Sequence, residues 1–209
     1  MYATIRKAIL YLFSTNLGEL FAIVGAMIVG LPMPVLPAQI LWLNVVTDPF
    51  MGAALAVEPK ESGLLSKVFH RADRSLVHAG TVLRSVFLGS TMMIGTLALF
   101  SYYFWAHPER ATTVALTALA AFQWLNAWNC RSDRRSAFSD TFSNPSLVLA
   151  LFGVVALHVL AVYAPFMQKI LFTVPLEPID WALALGVSVS VLVVEEARKF
   201  FVRRFVPVV

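Results

Sequence analysis

Glu19 and Asp48 are carboxylates set inside long apolar runs, and both have polar neighbours at helical spacing. Asn16 precedes Glu19 by three residues, which places the two on one helix face. Asn44, Thr47 and Asp48 fall at i, i+3 and i+4, again on one face. A charge at the centre of a bilayer costs about 2.5–3.5 kcal/mol on insertion scales, so such groups persist where they face a bundle interior and bind something. The side chains offer carboxylate, amide and hydroxyl oxygens, with no thiolate or imidazole among them. Hard oxygen donors suit Ca2+, Mg2+ or Mn2+, and alkali ions less specifically. Pro49 follows Asp48 directly. Proline removes a helix hydrogen bond and kinks the chain, and carbonyls freed in this way line ion sites in broken membrane helices. A single Asn or Thr in a membrane helix usually acts as glue between helices, and a buried acid can be only a structural hydrogen-bond partner. Five oxygen side chains on two facing stripes favour the ion site over both of these accounts.

A second, weaker cluster lies further along. Gln123, Asn126 and Asn129 have near-helical spacing, with Asp133 one turn beyond. Asn126 is a candidate to complete the site, against the competing account of amide packing between helices. Asp133 stands among Arg131, Arg134 and Arg135, which favours a solvated charge run; it is kept as a further candidate ligand.

Residues of this kind need membrane-crossing helices to hold them. The chain is 59% hydrophobic and 13% charged, where a soluble domain carries about 25% charged residues. The apolar material falls into runs of about 20 residues, the length that spans a bilayer core. The expected fold is an all-α, polytopic membrane helix bundle occupying residues 1–209 as one domain. Six transmembrane spans are predicted, at about 5–30, 38–57, 81–106, 111–130, 146–167 and 181–197. Pro32, Pro34 and Pro37 mark a tight turn after the first span. That turn makes the first two spans antiparallel neighbours, so their polar faces can meet near mid-membrane.

Of the 16 Lys and Arg residues, all but Arg110 and Lys169 flank the same ends of these spans. Six spans put both termini on one side, and the positive-inside rule makes that side cytoplasmic. Trp105 and Trp181 fall at span ends, where interfacial aromatics are favoured. The net charge of +4 sits in short loops between spans, a topology signal that speaks against nucleic acid as partner; the lipid bilayer is the expected one. The single cysteine, Cys130, has no internal disulfide partner. The first apolar run is too long for a signal peptide and contains Asn16 and Glu19. No internal repeat of the kind found in secondary transporters is visible, which disfavours a proton-coupled carrier.

Several stretches resemble a known family. Tyr11-Leu-Phe-Ser-Thr-Asn-Leu-Gly-Glu19 resembles the fifth transmembrane helix of P-type cation ATPases of the calcium-pump group. Leu36-Pro-Ala-Gln-Ile-Leu-Trp-Leu-Asn-Val-Val-Thr-Asp48 resembles the sixth, and is the more specific motif. Phe122-Gln-Trp-Leu-Asn-Ala-Trp-Asn-Cys-Arg-Ser132 is similar to the eighth, and Glu195-Glu-Ala-Arg-Lys199 to the end of the tenth. The resemblance implies that Asn16, Glu19, Asn44, Thr47 and Asp48 ligate transported Ca2+, with Mn2+ or Mg2+ as alternatives and Asp48 shared between two ion sites. Gly18 before Glu19 favours the calcium-pump side, since sodium-potassium pumps typically have Pro there. The resemblance also places a glutamate ligand of endoplasmic-reticulum-type pumps at Asp133, where a shorter acid stands beside arginines. Pro49-Phe50-Met51-Gly52 departs from the Gly that often follows the aspartate.

The resemblance further implies a C-terminal membrane domain alone, not catalytic by itself. The phosphorylated Asp-Lys-Thr-Gly-Thr motif, the nucleotide-binding and actuator domains, and the Pro-Glu motif of the fourth helix have no counterpart here. ATP and Mg2+ would then act only through those domains, in a missing N-terminal part. The expected state is an excised domain, a truncated frame or half of a split pump, in a multi-pass location such as a bacterial plasma membrane. The alternative from another class is a non-catalytic membrane module or passive cation pathway.

Overall fold

The structure, a computed structural model, describes residues 2–58, 79–133, 135–139 and 143–205. Lys60, Lys67, Arg71, Arg74 and Arg134 of the expected cytoplasmic charge cluster lie outside these residues. Every regular element among the described residues is helical. The order is α1 (Tyr2–Ile28), α2 (Pro37–Trp42), a π-helical turn (Leu43–Thr47), α3 (Asp48–Ala56), α4 (Ala79–Phe104), α5 (Pro108–Cys130), α6 (Pro145–Tyr163), α7 (Pro165–Leu171), α8 (Pro178–Ser188) and α9 (Ser190–Phe205).

Local sequence sets many of these boundaries. Five helices begin on a proline, at 37, 108, 145, 165 and 178. The first helical position needs no N–H donor, and the fixed φ of proline suits it. α1 is closed by Gly30, whose φ of 74° is in the left-handed region. Leu31 N then donates to Ala26 O and Gly30 N to Met27 O, the paired bonds of a glycine-terminated helix. Pro32 follows and prevents any continuation.

Four helical segments are long and apolar enough to cross a membrane: Thr4–Ile28, Ala79–Phe104, Pro145–Tyr163 and the α8–α9 run Pro178–Phe205. The exterior of the bundle is apolar: Leu20, Ile28, Leu41, Phe50, Ile94, Leu149 and Phe152 are all exposed. The interior holds Glu19, Asp48, Gln123, Asn126 and Asn129. This inverted polarity is that of a helix bundle solvated by lipid. The span expected at 146–167 stops at Tyr163, because Pro165 offers no N–H and starts α7 instead. The expected sixth span begins earlier, at Pro178, and is two helices meeting at Val189.

α5 is the hub. Its side chains are buried almost without break from Val114 to Ala127, and it packs against α1, α3, α4, α8 and α9. Enclosure by protein explains why it is less apolar than the outer helices. The core around it includes Tyr11, Leu43, Met51, Leu55, Phe100, Leu116 and Leu119.

α1 and α4 approach backbone to backbone. A Cβ added at Gly89 would lie 3.1 Å from Gly18 N and 3.2 Å from the Leu17 carbonyl carbon. These are main-chain atoms and cannot move aside singly. Gly89→Val is therefore expected to destabilise the bundle by about 1–3 kcal/mol, the usual cost of overpacking. Gly153→Ala on α6 meets nothing within 4 Å and serves as the neutral comparison in a thermal melt in detergent. Equal melting of the two variants would refute the close crossing.

Candidate cation site

The site is assembled by α1, the broken α2–π–α3 segment, and α5. α1 presents Glu19 and α3 begins with Asp48, each only 3% exposed. Each acid is held by side chains from other elements. Asn44 Nδ2, on the π-helical turn, donates to Glu19 Oε2 at 2.9 Å. Gln123 Nε2, on α5, donates to the other Glu19 oxygen at 2.7 Å. In return α1 holds Asp48: Asn16 Nδ2 donates to Asp48 Oδ2 at 3.1 Å, and Thr15 Oγ1 stands 3.3 Å from the same oxygen. Thr47 is buried beside Asp48, at the end of the π turn.

Asn126 joins the cluster from α5, donating through Nδ2 to Ser14 Oγ at 2.7 Å. The Tyr11 hydroxyl lies near Asp48 without meeting hydrogen-bond geometry. The oxygens left over are informative. Asp48 Oδ1, Gln123 Oε1 and Asn126 Oδ1 are buried and lack any hydrogen-bond partner. Buried acceptors without a donor are costly; one of these belongs to an acid of the pair, and a second to the amide that bonds the other acid, an arrangement with room for a cation. The amides of Asn16, Asn44 and Gln123 strengthen this. Turning an amide about its last bond exchanges its donor edge for its oxygen. Among the described residues no group of three or more His, Cys, Asp or Glu comes together; the other polar groups of the cluster are amides and hydroxyls.

The backbone is broken where the site lies. Asp48 N donates to Leu43 O, an i→i+5 bond, and Pro49 then supplies no donor at all. The β-branched run Val45, Val46, Thr47 adds little helix preference. The kink expected from Pro49 thus takes the form of a π-helical turn just before it, a feature that recurs at functional sites.

Asn44, Thr47, Asp48, Gln123 and Asn126 lie within a match to the family described as "Cation transporting ATPase, C-terminus", which covers residues 32–201; the α1 members of the cluster precede it. The chain belongs to this family of cation pumps. It is 30% identical over 191 residues to a calcium-transporting ATPase of Bacillus subtilis, covering 90% of this chain and 22% of that protein. It is 29% identical over 251 residues to a calcium-transporting ATPase of Plasmodium falciparum, covering 98% of this chain and 20% of the relative. A probable cation-transporting ATPase F of Mycobacterium tuberculosis is 28% identical over 93% of this chain. The chain spans about a fifth to a quarter of the length of such curated relatives.

The expected ligands Asn16, Glu19, Asn44, Thr47 and Asp48 come together, and Asn126 reaches α1 at Ser14, two residues before Asn16. Asp133 does not. Its carboxylate is bound to Arg84 at 2.5 Å, with Arg6 at 3.9 Å. Gln123, read from the sequence only as part of the weaker cluster, instead reaches Glu19. Tyr11, Ser14 and Thr15 are further members that helical spacing around Asn16 did not single out. The signal was there: Tyr11, Thr15 and Glu19 recur at steps of four, one stripe of a helix.

Proposed function

We propose that this region is the cation-binding membrane portion of an ATP-driven calcium pump. Glu19 and Asp48 supply the charge, and Asn16, Asn44 and Thr47 supply neutral oxygens; Gln123 and Asn126 approach from α5. The observation that carries this is the reciprocal grip of the two acids together with the partnerless oxygens of Asp48, Gln123 and Asn126. The calcium assignment is supported by the names of the relatives and by the all-oxygen donor set.

The proposed topology has six spans and cytoplasmic termini, in one membrane domain over residues 1–209. The four apolar segments are joined by α5 and by the α2–π–α3 segment. Both of these carry site residues, and α5 is sheltered from lipid by its neighbours, so neither needs to be apolar throughout. The placement of Lys and Arg on one side of these spans orients the whole.

The cluster is not closed on every side. Asn16 is exposed and Asn44 half-buried, next to exposed Leu12, Phe13, Leu20, Leu41 and Val45. Further helices of an N-terminal part, in the same chain or a partner chain, are proposed to cover this face and complete the coordination. ATP and Mg2+ would act through that part. Phosphorylation there would shift α1 and α3 against each other and so alter the geometry around Glu19 and Asp48.

Glu19→Gln tests the assignment. Gln keeps the size; its oxygen accepts from one of Asn44 and Gln123, and the other amide must turn to present its oxygen to the new N–H2, so loss of the charge is the main change. Equilibrium binding of radioactive Ca2+ to the pump assembled with its N-terminal part is expected to weaken by about tenfold or more, as ligand charge sets Ca2+ affinity over decades. Unchanged binding would remove Glu19 from the site.

A further inference from the structure

A second polar assembly lies at the far end of α3, remote from the acids. Glu58, just beyond α3, is only 8% exposed, and Arg131, just beyond α5, only 7%. Arg131 Nε bonds Glu58 Oε1 at 2.8 Å. Asn144 Nδ2 donates to Glu58 Oε2 at 2.6 Å and to Ala54 O, the carbonyl of the last turn of α3, at 3.0 Å. Asn144 is also the cap of α6, its Oδ1 accepting from Leu147 N. Arg131 Nη2 donates to Ser143 Oγ at 2.6 Å. Both carboxylate oxygens of Glu58 are thus engaged, one by the end of α5 and one by the start of α6.

A buried ion pair is weak evidence for stability, because desolvation offsets most of its attraction. Its better attested use is to fix one arrangement among several. The arrangement fixed here is specific. α3 carries Asp48 at one end and the clamp at the other, about 15 Å away at 1.5 Å per residue. α5 carries Gln123 and Asn126 and is followed directly by Arg131. Between α2 and α3 lies the π turn, and Pro49 follows in the first turn of α3, so the hydrogen-bond ladder is interrupted there. The orientation of α3 is therefore weakly set from the α2 side. Coordination tolerates displacements of only about 0.5 Å.

We propose that Glu58, Arg131 and Asn144 are positioning residues that hold α3 in register with α5 and so set the cation affinity of the Glu19–Asp48 cluster from a distance. The inference rests on that cluster being the cation site. It predicts that the clamp acts on binding, whereas a merely structural contact would act on stability alone.

The test uses the pump assembled with its N-terminal part and measures Ca2+ binding and thermal stability together. Glu58→Gln and Arg131→Met are each expected to weaken Ca2+ affinity by about tenfold, the scale of coupling through packed networks. The double variant, which leaves no unpaired charge, is expected to recover part of the loss in stability but not the affinity, since the register is still unfixed. Tyr103→Phe is the comparison. It removes a buried hydrogen bond of 2.6 Å to Asp180 that links α4 and α8, helices that carry none of the ligands; it should lower stability and leave affinity alone. Should the charge variants fail to fold, Asn144→Ser decides, because serine keeps the cap of α6 and loses only the bonds into α3. It should weaken affinity by about threefold, at the lower end of the same scale. Unchanged affinity in the folded clamp variants, or an equal fall in Tyr103→Phe, overturns the proposal while the wild type still binds Ca2+. A wild type that fails to bind Ca2+ sinks the cation site itself, and the clamp with it.

Discussion

Asp48→Asn is expected to lower Ca2+ affinity by about a hundredfold or more, the largest functional loss of any single change in this region. Asp48 is one of two acids in the cluster, and one of its oxygens is buried without a partner. Asparagine keeps the size, and its oxygen can take the place of Oδ2 opposite Asn16 and Thr15. What disappears is one of two negative charges, with an amide N–H2 turned toward the ion. Two decades in affinity correspond to about 2.8 kcal/mol, a modest figure for a charge acting where water is scarce. The loss should exceed that of Glu19→Gln, because Glu19 is already shared between two amide donors. Isothermal calorimetry on the assembled pump reads both. Affinity equal to wild type in Asp48→Asn would refute the site at its centre.

Arg84→Met should have the largest effect on stability. Arg84 is 7% exposed, and its guanidinium ties three parts of the bundle to α4. It bonds Glu195 of α9 at 2.5 Å and Asp133 at 2.5 Å, and donates to Asn129 O at the end of α5 at 3.1 Å. Glu195 has no exposure at all. After the change its ion-pair partner among the described residues is Arg198, which is partly open to solvent. Removing one partner of a buried ion pair costs about 3–5 kcal/mol, because the other charge is stranded. The double variant Arg84→Met/Glu195→Met should recover much of this loss. Melting in detergent, followed by tryptophan fluorescence, distinguishes the cases. A single variant as stable as wild type would mean that Glu195 does not depend on Arg84.

Much of the site is visible in the sequence because it obeys a strict period. Asn16 with Glu19, and Asn44 with Thr47 and Asp48, lie on single faces whatever the rest of the chain does. Gln123 shows the limit of this. Its position on a helix is legible, but which face of α5 meets α1 depends on packing between residues 104 positions apart. Arg84 and Arg131 illustrate a different limit. As sequence they are two more cations at span ends. In the structure each is buried against an acid from a distant segment, Glu195 and Glu58, which charge counting cannot reveal. The split of the fifth expected span has the opposite character. Pro165 is plain in the sequence, yet the unbroken apolarity around it masks the helix boundary. The broken second span was foreseeable from Pro49, but not that the break would be a π turn preceding the proline.

The burial of α5 has a consequence for how the protein reaches its membrane. Gln123, Asn126 and Asn129 make it a poor candidate to leave the insertion machinery for lipid alone, since each amide would then face hydrocarbon. α4 ends at Phe104 and α5 begins at Pro108, so the two emerge in quick succession as a helical hairpin. α4 is apolar enough to enter by itself, and α5 is expected to wait beside it until α6 and the α8–α9 run arrive. The helix that completes the candidate ion site is then the last of its neighbours to settle, and the one whose biogenesis is most exposed to error.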